Sequence, residues 1–290
     1  MAKILRRNFL FSLGAAALAG PVWANISGVK IGVCRPSRYL NDAVQFGFDY
    51  LEPAAAEIAE MDEPAFQAFK SAVLASSIRC ESLNSFIRKL RVVGDDVHKA
   101  ELQRYVESTL DRCRQLGASV VVWGSASSRN VESGYSRDRA WAQIQSFLRM
   151  AGGIAQSKGI VVAIEPLRHQ ESNILNTGAE SLRMVRELNH PNVKMIIDYY
   201  HLREENEDPK IIWTARKEIV HFHFANPHGR LWPVQISEDS EYGEFFKLVK
   251  KIGFRGGISI EAHGTFEEDA KPSLAFFRRE LSSSSSLGGG

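Results

Sequence analysis

Four residues able to hold a metal ion or move a proton recur at matching places in the second half of the chain: Glu165, Asp198, His223 and Glu261. Each closes a β-forming stretch: Ile160–Ile164 before Glu165, Val193–Ile197 before Asp198, Ile219–Phe222 before His223, and Gly257–Ile260 before Glu261. An ionised side chain at the end of an apolar strand has to be paired or metal-bound. Burying it alone costs on the order of several kcal/mol. Pro166 brings no N–H to a ladder, so the first of these strands stops at Glu165. The four residues are separated by 33, 25 and 38 positions, roughly one strand-plus-helix unit each. The two-residue period of a strand puts Ala163 with Glu165, Ile196 with Asp198, His221 with His223 and Ser259 with Glu261 on shared faces. Three carboxylates and one imidazole make a hard, oxygen-rich donor set, suited to Mn²⁺ first, with Mg²⁺ or Co²⁺ as alternatives, rather than to a structural zinc.

The elements that must position these residues alternate along the chain. Strands are predicted at Val29–Cys34, Asp49–Leu51 (ending on Glu52-Pro53), Ile78–Leu83 and Ser119–Trp123 in the first half. Strands at Ile160–Glu165, Val193–Asp198, Ile219–Phe224 and Gly257–Glu261 follow in the second. Helices are predicted between them at Leu40–Phe46, from Asp62 to Ser76, His98–Leu116, Asp138–Ser157, Ala179–Leu188, near Pro209–Arg216, Tyr242–Lys251 and Lys271–Leu281. Asp62 with Pro64 is an N-cap followed by an early proline. Leu102, Val106, Leu110 and Cys113 keep a helical period. Eight such units with no hairpin signal between them predict an α/β fold, a single (β/α)₈ TIM barrel over residues 25–281. Successive strand ends then share one rim, and all four candidate ligands face one mouth. An open doubly wound sheet would need a glycine-rich phosphate turn, and GxGxxG is absent.

Residues 1–24 read as an export signal. They carry a basic start (Lys3, Arg6, Arg7), an apolar run from Phe9 to Gly20, and a small-x-small site at Val22-Trp23-Ala24. Arg6-Arg7 before Asn8-Phe9-Leu10 resembles a twin-arginine signal, with the general secretory route as the alternative. The expectation is a periplasmic protein, cleaved near Ala24 and handled by one of those export machineries. Cleavage removes three basic and no acidic residues, taking the formal net charge from +2 to −1. That balance argues against a nucleic-acid surface, which needs clustered excess Lys and Arg. Cys34, Cys80 and Cys113 have no CxxC spacing and read as buried thiols. Residues 282–290 are Ser/Gly-rich and predicted to be a disordered tail. The sequence leaves a homo-oligomer open.

Glu165-Pro166 with Glu171 and Asn176-Thr177, Asp198-x-x-His201, His221-x-His223 and Ser259-Ile260-Glu261 resemble the xylose-isomerase-like barrel superfamily, and within it sugar isomerases and ketohexose 3-epimerases. The resemblance implies that Glu165, Asp198, His223 and Glu261 bind one divalent metal. It also implies that Glu165 and Glu261 are the catalytic proton-transfer pair, and that Glu171, His201 and Arg230 hold substrate oxygens. Gly124–Asn130 resembles a loop of several sugar isomerases, which makes Arg129 a candidate for a substrate oxygen or phosphate. Three departures stand out: Arg168-His169 replaces Asn-Arg, Asn226 replaces an acidic residue, and Arg230 lies seven rather than six residues after His223.

The chemistry expected is proton abstraction beside a carbonyl through an enediolate, giving a divalent-metal-dependent sugar isomerase or epimerase. Its small-molecule substrate would be a sugar or a glycoside. The alternative is a 3-keto-glycoside lyase that uses the same site for β-elimination. A non-catalytic sugar-binding protein and an endonuclease-like member are further rivals. The endonuclease would want histidines where the chain has Glu52 and Asn84-Ser85.

Overall fold

The computed structural model describes residues 28–283 and alternates strands with helices along that whole length. The first half runs β1 (Lys30–Cys34), α1 (Leu40–Phe46), β2 (Tyr50–Glu52), α2 (Ala55–Glu60), α3 (Glu63–Ala75), β3 (Ser82–Leu83), α4 (Lys99–Gln115) and β4 (Val120–Trp123). It continues through α5 (Ala126–Arg129), α6 (Arg137–Lys158), β5 (Val161–Ile164), α7 (Gly178–Leu188), β6 (Val193–Asp198), α8 (Tyr199–Glu204) and α9 (Ile211–Thr214). The last elements are β7 (Ile219–Phe224), α10 (Tyr242–Lys251), β8 (Gly257–Ile260) and α11 (Phe266–Ser282). The export signal expected in residues 1–24 lies outside the described residues, as does the tail beyond Ser283; Ser282 is the last residue of α11.

All eight strands are parallel, in the order β2-β1-β8-β7-β6-β5-β4-β3. The two ends of that order meet through isolated bridges, Tyr50 to Arg79 and Ala54 to Asn84, so the barrel is nearly closed. This seam explains why the strand predicted over Ile78–Leu83 survives only as Ser82–Leu83. The proline after β2 cannot donate, so the ladder between β2 and β3 breaks into single bonds such as Leu51 N–H to the Arg79 carbonyl, 3.1 Å.

Alternation along β7 separates two layers. Phe222 and Phe224 point outward into an aromatic cluster with Tyr199, Tyr242 and Phe245; the Tyr199 and Phe224 rings stack at 4.4 Å. His221 and His223 point inward, where Val122, Ala163 and Ile196 form a small apolar cluster apart from the main core. Three buried free thiols match the reading of the cysteines.

Besides the unpredicted short helices α2 and α5, two regions differ from expectation. Instead of one helix near Pro209–Arg216, α8 springs directly from β6 and α9 is a single short turn. Asp198 caps α8, its side chain accepting from the Tyr200 N–H at 2.7 Å. The last helix begins at Phe266, not Lys271, and runs through Pro272. Phe266 is buried against Tyr39, Phe46 and Phe48, and this packing outweighs the local cost of the proline.

Candidate metal centre and active site

The barrel brings Glu165, Asp198, His223 and Glu261 together. One donor atom from each lies within 4.8 Å of the others. The donors come from the C-terminal ends of four adjacent strands, β5 to β8. His223 Nδ1 sits 2.9 Å from Glu165 Oε1 and 3.3 Å from Glu261 Oε2. Asp198 spends Oδ1 on capping α8, which leaves Oδ2 buried with no hydrogen-bond partner. Gly124, at the end of β4, makes room for Glu165: a Cβ there would lie 1.6 Å from Glu165 Oε2.

Charge is crowded here. Burial pushes the Glu165 and Asp198 carboxyls up, and neighbouring carboxylates add to the rise. Burial also works against Glu261, but Arg230 and His223 hold it down at about 2. Burial disfavours the His223 cation too; Cys34, Glu52, Glu165 and Glu261 nevertheless drive its pKa well above the usual range. Excess buried negative charge around one imidazole, with an unpartnered carboxylate oxygen, is the electrostatic signature of a cation site. Hard oxygen donors and one nitrogen fit a divalent ion of the Mn²⁺ or Mg²⁺ type.

Glu52, at the end of β2, completes the support. It is fully buried, and its two oxygens lie 2.9 Å from His223 Nε2 and from His221 Nε2. Ser259 Oγ donates to the same carboxylate, and Tyr50 O–H meets Ser259 Oγ at 2.7 Å. With Nε2 of His223 facing Glu52, Nδ1 is the atom turned to the cluster. Carboxylate partners of this kind orient a ligating imidazole and raise its basicity. The sequence signal for Glu52 is the Glu-Pro pair at a strand end, repeated at Glu165-Pro166.

The candidate substrate residues divide. His201 is buried and held neutral, burial lowering its pKa to about 4. Its Nδ1 accepts from the Arg168 N–H at 3.3 Å, so Nε2 carries the proton, lies 3.7 Å from Asp198 Oδ2 and has no hydrogen-bond partner. Arg230 reaches the cluster despite its extra residue of spacing. Gly229 and Arg230 both adopt left-handed backbone (φ 84° and 56°), and Asn226 pairs with Leu231 across the turn. Arg230 lies 2.8 Å from Glu261 Oε2, 3.8 Å from Asp198 Oδ2 and 3.6 Å from Glu171 Oε1. Glu171 is also paired with Arg168 at 2.9 Å.

Arg129 departs from the expectation of a substrate contact. It is fully buried, and its guanidinium donates to the carbonyls of Trp123 (3.1 Å), Glu165 (2.7 Å) and Leu175 (3.4 Å). Burial lowers its pKa to about 10. Its donors take carbonyl oxygens at the ends of β4 and β5 and in the following loop, two of which also accept a backbone N–H: Trp123 from Glu165 and Leu175 from Leu167. It ties those strand ends together behind Glu165.

The xylose isomerase-like TIM barrel family matches residues 40–280. The chain belongs to that family. Among its relatives, the 3-dehydro-D-guloside 4-epimerase of Escherichia coli (strain K12) is 25% identical over 253 residues, covering 83% of this chain and 92% of the relative. The D-psicose 3-epimerase of Agrobacterium fabrum is 26% identical, covering 80% and 82%. The L-ribulose 3-epimerase of a Methylomonas strain is 31% identical over a shorter alignment, 47% of this chain and 46% of the relative. A crystal structure of D-psicose 3-epimerase in the presence of D-fructose superposes with a TM-score of 0.78 at 21% identity, covering 88% of this chain and all of the other.

Proposed function

We propose that the protein is a divalent-metal-dependent sugar epimerase or isomerase that moves a proton on the carbon beside a ketose carbonyl. The observation that carries this reading is the cluster itself. Its two glutamates come from β5 and β8, at opposite ends of the four-strand arc, with Asp198 and His223 between them. The epimerase relatives support the same chemistry. The relatives named above include no lyase, so β-elimination has no comparable support.

Glu165, Asp198, His223 and Glu261 are the residues that would hold the ion, with Mn²⁺ the best match to their donor set. When bound, it supplies a Lewis acid for the negative charge that develops on the sugar oxygens. One glutamate would take the C–H proton as the C–H electron pair forms a C=C bond and the carbonyl π pair moves onto its oxygen. The other, starting protonated, returns a proton from the opposite face, so the carbonyl re-forms and the carbon is inverted. The N–H of neutral His201 and the Arg230 cation are hydrogen-bond donors for the oxygens on which charge builds. Glu171 accepts from a hydroxyl.

The test is incubation of the Mn²⁺-loaded protein in D₂O with a panel of ketohexoses and 3-keto-glycosides. Deuterium at a carbon-bound position of at least one sugar is the expected result. No exchange with any of them, alongside measurable sugar binding, would leave a non-catalytic binding protein.

A further inference from the structure

A cavity of about 600 Å³ opens beside the cluster, bounded on its inner side by Glu52, Arg230 and Glu261 and extending under the loops after β1, β2 and β3. That volume is in the range of small-molecule sites, about 300–1,000 Å³. Its outer wall carries three arginines, Arg35, Arg38 and Arg88. Among the described residues, none of the three forms an ion pair with a carboxylate. Arg35 is partly buried; one nitrogen donates to the Ala262 carbonyl at 2.9 Å and the Cys34 carbonyl at 3.3 Å, and the guanidinium lies over the Trp232 ring at 4.9 Å. Arg38 lies over the Tyr39 ring, and Arg88 is exposed at the rim. The one outer-wall carboxylate among the lining residues, Glu57, is engaged by Ser37, accepting from its N–H at 3.0 Å and its hydroxyl at 2.6 Å. Arg230, on the inner side, is already matched to Glu261.

A half-buried guanidinium with unused donors and no carboxylate within ion-pair distance is incompletely solvated, and burial lowers the pKa of Arg35 even though Glu261 and Glu267 oppose the shift. An anion entering the cavity would supply the missing partner, and planar guanidinium forks match carboxylate and phosphate oxygens. We propose that this cavity is a subsite for an anionic group, carboxylate or phosphate, carried by the sugar at the end remote from the reacting carbon. The proposal rests on the reading of the adjacent cluster as the place where that carbon is held.

D-Fructose, D-fructuronate and D-fructose 6-phosphate share a ketose head and differ at carbon six, so they form the test set. Calorimetric titration of each into the Mn²⁺-loaded protein at low salt reads binding. Deuterium exchange on the same samples reads chemistry. At least one anionic sugar is expected to bind on the order of tenfold or more tighter than fructose, a ratio that shrinks as salt is raised. Which of the two gains most separates carboxylate from phosphate. Arg35→Gln and Arg88→Gln should each pull the ratio toward one. Arg35 also holds a backbone carbonyl, so the exposed Arg88 keeps the test valid if Arg35→Gln misfolds. Equal binding of all three sugars, no binding of any, or a ratio unchanged in Arg88→Gln and in any folded Arg35→Gln would overturn the subsite. Tight binding of an anionic sugar without exchange would leave the subsite standing and remove the epimerase reading. Exchange on fructose with no anionic advantage would do the reverse.

Discussion

The two halves of the barrel differ in how they treat charge. Strands β5 to β8 end on side chains packed against one another, with donor atoms within 4.8 Å and Arg230 as a matched counter-ion. Strands β1 to β3 end beside an open cavity whose outer arginines, Arg35, Arg38 and Arg88, form no ion pair among the described residues. The C-terminal half concentrates buried carboxylates around His223; the N-terminal half lines its cavity with arginines that form no ion pair among the described residues. Glu52 crosses between them: it belongs to β2, yet its carboxylate meets the two histidines of β7 and Ser259 of β8. On the proposed reading, one half holds the reacting carbon and the other leaves room for the remote end of the sugar.

The largest effect should come from breaking the C-terminal cluster. Asp198→Ala removes a buried oxygen that makes no hydrogen bond, together with the cap of α8, so metal content and turnover should fall together to background while the circular dichroism stays that of a barrel. Elemental analysis at full occupancy in that variant would contradict the ligand assignment. Next is Gly124→Ala, whose Cβ would occupy the space of Glu165 Oε2. Displacing a reacting carboxylate by about 1 Å costs roughly 10²-fold, and kcat/KM should drop by that order. Undiminished kcat/KM would show that Glu165 need not sit where it does.

Glu52→Gln tests the link between the halves. Partners that orient a metal ligand are worth roughly 10–100-fold in affinity, and Mn²⁺ titration should show a loss of that size. Unchanged affinity would confine Glu52 to packing. The smallest effect lies in the frame outside the site. Burial disfavours the Asp239 anion, but hydrogen bonds from Tyr199 and the Glu241 N–H, with Arg203 nearby, hold its pKa below the ordinary carboxylate value. Its ionised form therefore stabilises the fold above the unfolded-state pKa, and that contribution is lost as pH falls through the folded value. Asp239→Asn should cost about 1–2 kcal/mol near neutral pH, with the gap closing in denaturant titrations as the pH falls below the carboxylate range. A constant gap at all pH values would exclude the linkage.

Much of the C-terminal half was legible in the sequence because each of its strands announces itself twice, by an apolar run and by the ligand-type residue that ends it. β6 and β7 match their predicted limits for that reason, and the helix α10 matches its limits as well. The N-terminal half was harder to read. β3 shrank because its pairing depends on a seam next to Pro53, which no local pattern encodes. α8 was missed because Asp198 both ends a strand and caps a helix, with no loop between. Arg129 looked like a substrate residue by loop resemblance. Only the fold reveals the three backbone carbonyls that take its donors.

The central claim is that Glu165 and Glu261 carry the proton, and the most direct measurement is deuterium exchange by Glu165→Gln and Glu261→Gln at saturating Mn²⁺. An amide keeps an oxygen for the metal but cannot act as a base, a loss worth typically 10²–10⁴-fold. Metal occupancy is expected to recover at high Mn²⁺ while turnover does not. One of the variants should still exchange the substrate proton with solvent without inverting the carbon. Wild-type turnover in both variants, with the metal fully bound, would contradict the central claim.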